Sequence, residues 1–138
     1  MHRRWVVGAL IAAFAVVPLI GGVAYGSFGL VASIVDSYRY RVTFDPQHWR
    51  DRTMDKGVMW PTRLRMADDL VRRQLISGIT RSDVEHLLGP PDESQKFQDW
   101  HLVYHLGPER GLIRIDSEWL VVRFSKDGRV ADHRIVRD

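Results

Sequence analysis

The stretch Gly78-Ile79-Thr80-Arg81-Ser82-Asp83-Val84-Glu85-His86-Leu87-Leu88-Gly89-Pro90-Pro91 writes both ends of one short helix into the chain. Thr80 is placed to cap it: its hydroxyl can accept from the free backbone N–H of Asp83, while the Asp83 carboxylate reaches back to the Thr80 N–H and favours the positive end of the helix dipole. Gly89 stops the helix, because glycine readily takes the left-handed conformation and neither Pro90 nor Pro91 continues a helix. Between the stops, Val84, Leu87 and Leu88 form an apolar stripe, with Ile79 before the cap placed to staple onto it. A helix this short with one apolar face needs a surface to lie on.

Upstream, Pro61 and Thr62 open a second helix. Leu64, Ala67, Leu70, Val71 and Leu75 make its apolar face, Arg63, Arg65, Asp68, Asp69, Arg72 and Arg73 fall largely opposite, and Gly78 ends it. Downstream, Trp100, Leu102, Tyr104 and Leu106 alternate with His101, Val103 and His105, the pattern of a half-buried strand. Leu120, Val122 and Phe124 give a second inward row, Asp127-Gly128 signals a hairpin, and Arg129 to Val136 returns as a third strand. The expected class is α+β: two helices covering one face of a three-stranded antiparallel meander, a two-layer sandwich over residues 61–138.

The same residues carry a resemblance. Gly78-Ile79-Thr80, Val84, Leu87-Leu88-Gly89 and Pro91, followed by an alternating strand and a hairpin, resemble the SmpA/OmlA domain, the BamE-like family of outer-membrane assembly. Met66-Ala67-Asp68-Asp69-Leu70, Tyr104-His105-Leu106-Gly107 and Ile115-Asp116-Ser117-Glu118-Trp119-Leu120 resemble more closely small bacterial membrane proteins with that domain. The resemblance spans the chain from about Phe44 to its end. It implies the fold and a place in the cell envelope, not a biochemical role. BamE-type members carry a lipidated cysteine; this chain has none, so lipoprotein status is not implied.

Before the domain, Trp5 to Val35 holds no charged residue, where a bilayer core needs about 20 apolar positions in a helix. Residues 1–35 therefore read as an N-terminal membrane anchor and 36–60 as a juxtamembrane segment. A cleaved signal peptide is the competing reading, since Pro18, Gly22 and Ala24 imitate a cleavage region, but the run outlasts a signal core of about 7 to 15 residues. Gly22, Gly26 and Gly29 lie on a stripe of small residues that would let a second helix approach, which suggests a homodimer through the span. Arg39, Arg41, Arg50 and Arg52 outnumber Arg3 and Arg4, yet a long domain translocates regardless of such charge. The expected location is the bacterial inner membrane, single-pass, with a periplasmic C-terminal domain.

Composition narrows the function classes. The chain has 20 Lys and Arg against 17 Asp and Glu; without Arg3 and Arg4 the count is 18 against 17, too even for a nucleic-acid-binding domain, so no nucleic acid partner is expected. The local basic excess from Arg39 to Arg73 suits lipid headgroups. The absence of cysteine excludes thiolate metal sites and a cysteine nucleophile. His101, His105 and His133 are the one hint of chemistry, but four residues along a strand span about 13 Å, too far for His101 and His105 to share a metal. No catalytic, metal or cofactor residues are assigned. A histidine- or metal-dependent envelope hydrolase and a cytoplasm-facing membrane-anchored regulator are the alternatives.

Alternation points to a binding face instead. If Leu120, Val122 and Phe124 face the helices, Trp119, Val121 and Arg123 face away beside His101, Val103 and His105. An exposed Trp with valines and Arg has the composition of a protein-binding patch. It also matches a face covered by the chain's own stretch from Tyr38 to Trp60. The expected function is a non-catalytic envelope binding or scaffold module that engages another envelope protein through its sheet.

Overall fold

The computed structural model describes Val31, Val35 and residues 41–55, 61–110 and 114–138. The element order is helix α1 (Pro46–Arg50), a 3-10 turn (Thr53–Asp55), helices α2 (Thr62–Arg72) and α3 (Arg81–Leu88), and strands β1 (Leu102–Pro108), β2 (Ser117–Phe124) and β3 (Val130–Arg137). The strands form one antiparallel sheet in the order β1-β2-β3, so the α+β reading with a three-stranded meander stands. Among the described residues no helix is long and apolar enough to cross a membrane. The predicted anchor and its Gly22, Gly26 and Gly29 lie outside the described residues, apart from Val31 and Val35.

The α3 signals are met atom for atom. The Asp83 N–H donates to the Thr80 hydroxyl at 3.3 Å and the Thr80 N–H donates to the Asp83 carboxylate at 3.2 Å. The Thr80 hydroxyl also donates to that carboxylate, at 2.7 Å, and this bond, followed by the one from the Thr80 N–H, holds the Asp83 carboxyl below the ordinary carboxylate range. Gly89 ends the helix at φ 81°. The approach to α3 also meets the sheet: the Gly78 N–H donates to the Val130 carbonyl, and the Val130 N–H donates to that of Ile79.

Helix α2 departs from expectation at its end. It stops at Arg72 rather than running to Gly78, because Gln74 takes the left-handed conformation at φ 54° and the Leu75 N–H closes back to the Leu70 carbonyl at 3.1 Å. That is a Schellman-type stop built on glutamine, with Leu75 still packed on the core.

The main core lies between the helices and the sheet. Leu64, Ala67 and Leu70 of α2 and Val84 and Leu88 of α3 meet Leu102, Tyr104, Leu106, Leu120 and Val122. Trp49 of α1 is wholly buried in the same core, with Phe44 against it at 5.5 Å between rings. The folded unit therefore begins well before residue 61. Backbone N–H groups help fasten this segment to α2: that of Val42 donates to the Arg65 carbonyl at 3.1 Å, and that of Phe44 to the Asp69 carboxylate at 2.9 Å. At the far end of β1 the register slips between His105 and Gly107. Gly107 has φ 142°, and a Cβ there would sit 2.7 Å from Cγ of Pro61, so only glycine lets α2's opening residue seat against the bulge.

Candidate functional site

The proposed binding face is mostly covered. Register places Val103 opposite Val121 and His105 opposite Trp119 on the outer side of the sheet, as alternation requires. Trp119 is nevertheless only 9% exposed and Val121 not at all. They form a second small core with Val103, onto which Phe97, Trp100 and Val136 pack. Among the described residues the cover does not come from the Tyr38 to Trp60 stretch. It is the segment after Pro91, which reads as a polar linker but turns Phe97 inward, with φ 59°, to 6.0 Å from the Trp119 ring. The expected exposure of Trp119, Val103 and Val121 is thus corrected. Arg123 and His101 do reach the surface, beside a half-buried Trp100 whose ring carries the guanidinium groups of Arg123 at 4.4 Å and Arg134 at 4.8 Å from its centroid.

The three histidines have separate settings. His101 accepts the Phe124 N–H at Nδ1, 2.9 Å away. His105 meets the Trp119 ring edge-on at 4.7 Å, and burial, followed by the nearby Arg52 charge, lowers its pKa. His133 pairs with Val122 and so sits on the helix side of the sheet. It is buried, which lowers its pKa, and its Nε2 has no hydrogen-bond partner among the described residues. Among the described residues no cluster of His, Asp or Glu is placed to hold a metal ion.

The best-built polar site lies elsewhere, around Asp92. Its Oδ1 pairs with Nη1 of Arg52 at 2.6 Å, and its Oδ2 both pairs with Nη1 of Arg63 at 3.0 Å and accepts the His105 N–H at 2.7 Å. The Asp92 N–H donates to the Val103 carbonyl at 2.9 Å. Asp92 thus closes part of the open edge of β1 while neutralising a cation buried in the core. Arg63 is 3% exposed; its Nε donates to the Trp49 carbonyl at 3.1 Å, and its guanidinium lies over the rings of Trp49 and Tyr104. The Tyr104 hydroxyl donates to the Gly89 carbonyl at 3.1 Å. Burial, the largest influence, drives the Tyr104 pKa well above that of a free tyrosine. Arg50 crosses over the same glycine and donates from Nη1 to the His86 carbonyl at 2.6 Å. Between these groups opens a cleft of about 220 Å³, lined by Arg50, Arg52, Arg63, Asp92 and the Gly89-Pro90-Pro91 turn.

Grouping Arg63 with the solvent-facing charges of α2 is therefore corrected. The signal was present: Arg63, Ala67 and Leu70 stand at i, i+4 and i+7, on the apolar stripe. A second ionic cluster joins the start of β2 to α2. Glu118, 1% exposed, accepts from the Arg110 backbone N–H and side chain, and Arg110 also pairs with Asp68 at 2.6 Å. Asp68 pairs in turn with Arg41 at 2.6 Å.

Comparison of the chain with models of known protein families, with curated proteins and with solved structures finds no match.

Proposed function

We propose that the chain is a non-catalytic binding module of the bacterial cell envelope, SmpA/OmlA-like, anchored in the inner membrane by its uncharged N-terminal run, with its domain in the periplasm. Its partner is another envelope protein, and the small-residue stripe of the span lets the chain pair with itself. The observation that carries the binding reading is the half-buried Trp100, with the guanidinium groups of Arg123 and Arg134 against its ring and the exposed His101 beside it. Tryptophan and arginine recur at the energetic centres of interfaces. Here Trp100 itself packs on the second core, so part of its ordering entropy is already lost before binding. The non-catalytic reading is supported by the histidines, each engaged in a different packing environment on one or the other face of the sheet.

A photoreactive residue in place of His101 is expected to crosslink one envelope protein in intact membranes, and Trp100→Ala to abolish that adduct. The same residue in place of Ser82, exposed on α3, serves as the control. Equal adducts from both positions, or survival of the His101 adduct in the Trp100→Ala chain, would remove the sheet-face site. A periplasm-dependent reporter fused after Asp138 is expected to be active. An inactive fusion paired with an active cytoplasmic reporter would make the chain a cytoplasm-facing regulator.

A further inference from the structure

We infer that the cleft between Arg50, Arg52 and Arg63 is a binding site for a phosphoryl group. The inference does not depend on the sheet-face reading, because the cleft belongs to α1, α2 and the turn after α3.

The charge balance is the first argument. Three guanidinium groups line the cleft with one carboxylate, Asp92, and that single negative charge is divided between Arg52 and Arg63. Arg63 lies almost wholly out of water, where a cation needs close compensation. Asp55 also acts on Arg63, more weakly than Asp92, and a second anion in the cleft would supply what Asp92 shares out.

Donor capacity is the second argument. A guanidinium carries five N–H donors in a planar fork suited to the paired oxygens of phosphate. The bonds described above use one at Arg50, one at Arg52 and two at Arg63, so the three side chains retain N–H groups for a ligand. The proline wall contributes no competing backbone donor at Pro90 or Pro91.

Size and place agree with this chemistry. A water molecule occupies about 30 Å³ in the liquid, so a cleft of about 220 Å³ admits a phosphate with part of its hydration shell. Arg50 follows Val35, the last residue of the uncharged run, by 15 positions, at most about 50 Å of extended chain. Lipid headgroups and soluble phosphates of the same compartment are therefore both within reach, and the shared phosphoryl group is what the arginines would recognise.

The test uses the full chain in detergent micelles, titrated with inorganic phosphate and with a short-chain phosphatidylglycerol below its own micelle concentration, against chloride at equal ionic strength. Thermal midpoint is the readout, since a ligand that binds only the folded state raises it saturably. At least one phosphate probe is expected to saturate, and Arg50→Gln and Arg52→Gln are each expected to weaken that binding by about tenfold, the scale of one charge-assisted hydrogen bond. Arg81→Gln, which breaks an exposed pair with Glu85 on α3, should leave it unchanged. Saturation by inorganic phosphate assigns a soluble ligand, and saturation by the lipid alone assigns a headgroup. The inference is overturned if neither probe saturates, or if the two cleft variants bind as the wild type does while their circular dichroism is intact.

Discussion

His133 shows how one side chain sets a pH dependence for the whole domain. It is 7% exposed, its Nε2 has no partner among the described residues, and burial lowers its pKa below the ordinary histidine value. The unfolded chain therefore takes up this proton first as pH falls, so stability rises with pH across the interval between the two values. His105 adds the same sign, again chiefly through burial. Stability is expected to be fully present above about pH 7 and to decline as pH drops through the unfolded value near 6.5 toward the lower folded value. Urea-unfolding midpoints between pH 8 and 5 would measure this, and His133→Gln should flatten the curve. Trp119 gives a second prediction. Buried under the segment after Pro91, its removal should cost about 3 to 5 kcal/mol in the isolated domain, and a loss below about 0.5 kcal/mol would show that the indole is not packed there. Strand alternation sufficed to assign Trp119 to the outer face. It could not reveal the cover, because Phe97 is a lone apolar residue among Glu93, Ser94, Gln95, Lys96, Gln98 and Asp99, too isolated to produce a period.

At the scale of elements, legibility follows the range of the interactions. The ends of α3 could be read because the cap, the staple and the Gly-Pro-Pro stop act within a few residues. The end of α2 could not, since its left-handed residue is Gln74, and glutamine carries no such expectation. The cleft was equally hidden: Asp92 meets Arg52 and Arg63 across 40 and 29 residues of chain. Asp92 works on two elements, holding the edge of β1 through Val103 and His105 and the cationic side of α2 through Arg63. Asp92→Ala removes the acceptor for the His105 N–H and, among the described residues, the one carboxylate lining the cleft. Amide exchange of His105 is therefore expected to accelerate by about tenfold or more while Val121 and Val122 of the central strand stay protected, since the loss of one charge-supported bond lowers local opening energy by about 1 to 3 kcal/mol. Equal acceleration across β2 would mean that Asp92 supports the whole sheet rather than one edge.

The whole molecule is defined by where its core begins. Sequence pattern divides the chain at Pro61, where helical periodicity starts, but packing divides it earlier. Trp49 has no exposed surface, and its carbonyl accepts from Nε of the buried Arg63. The Asp69 carboxylate, fixed by Arg72 and Arg73 on α2, receives the Phe44 N–H, and Asp68 pairs with Arg41. A fragment starting at residue 61 would lose an aromatic whose burial contributes about 3 to 5 kcal/mol. It would also leave Arg63 in an open cavity with Asp92 as its remaining named acceptor. Against a domain stability of about 5 to 15 kcal/mol, that loss is a large share of the total. The segment from Arg41 to Trp49 is thus part of the fold and not merely a tether. Residues 41–138 expressed without the uncharged run should unfold cooperatively on heating, whereas residues 61–138 should show no cooperative transition or one shifted strongly downward. Circular dichroism on the two fragments separates the cases: matching midpoints would place Trp49 outside the core, and failure of the longer fragment would show that the domain depends on the segment before it.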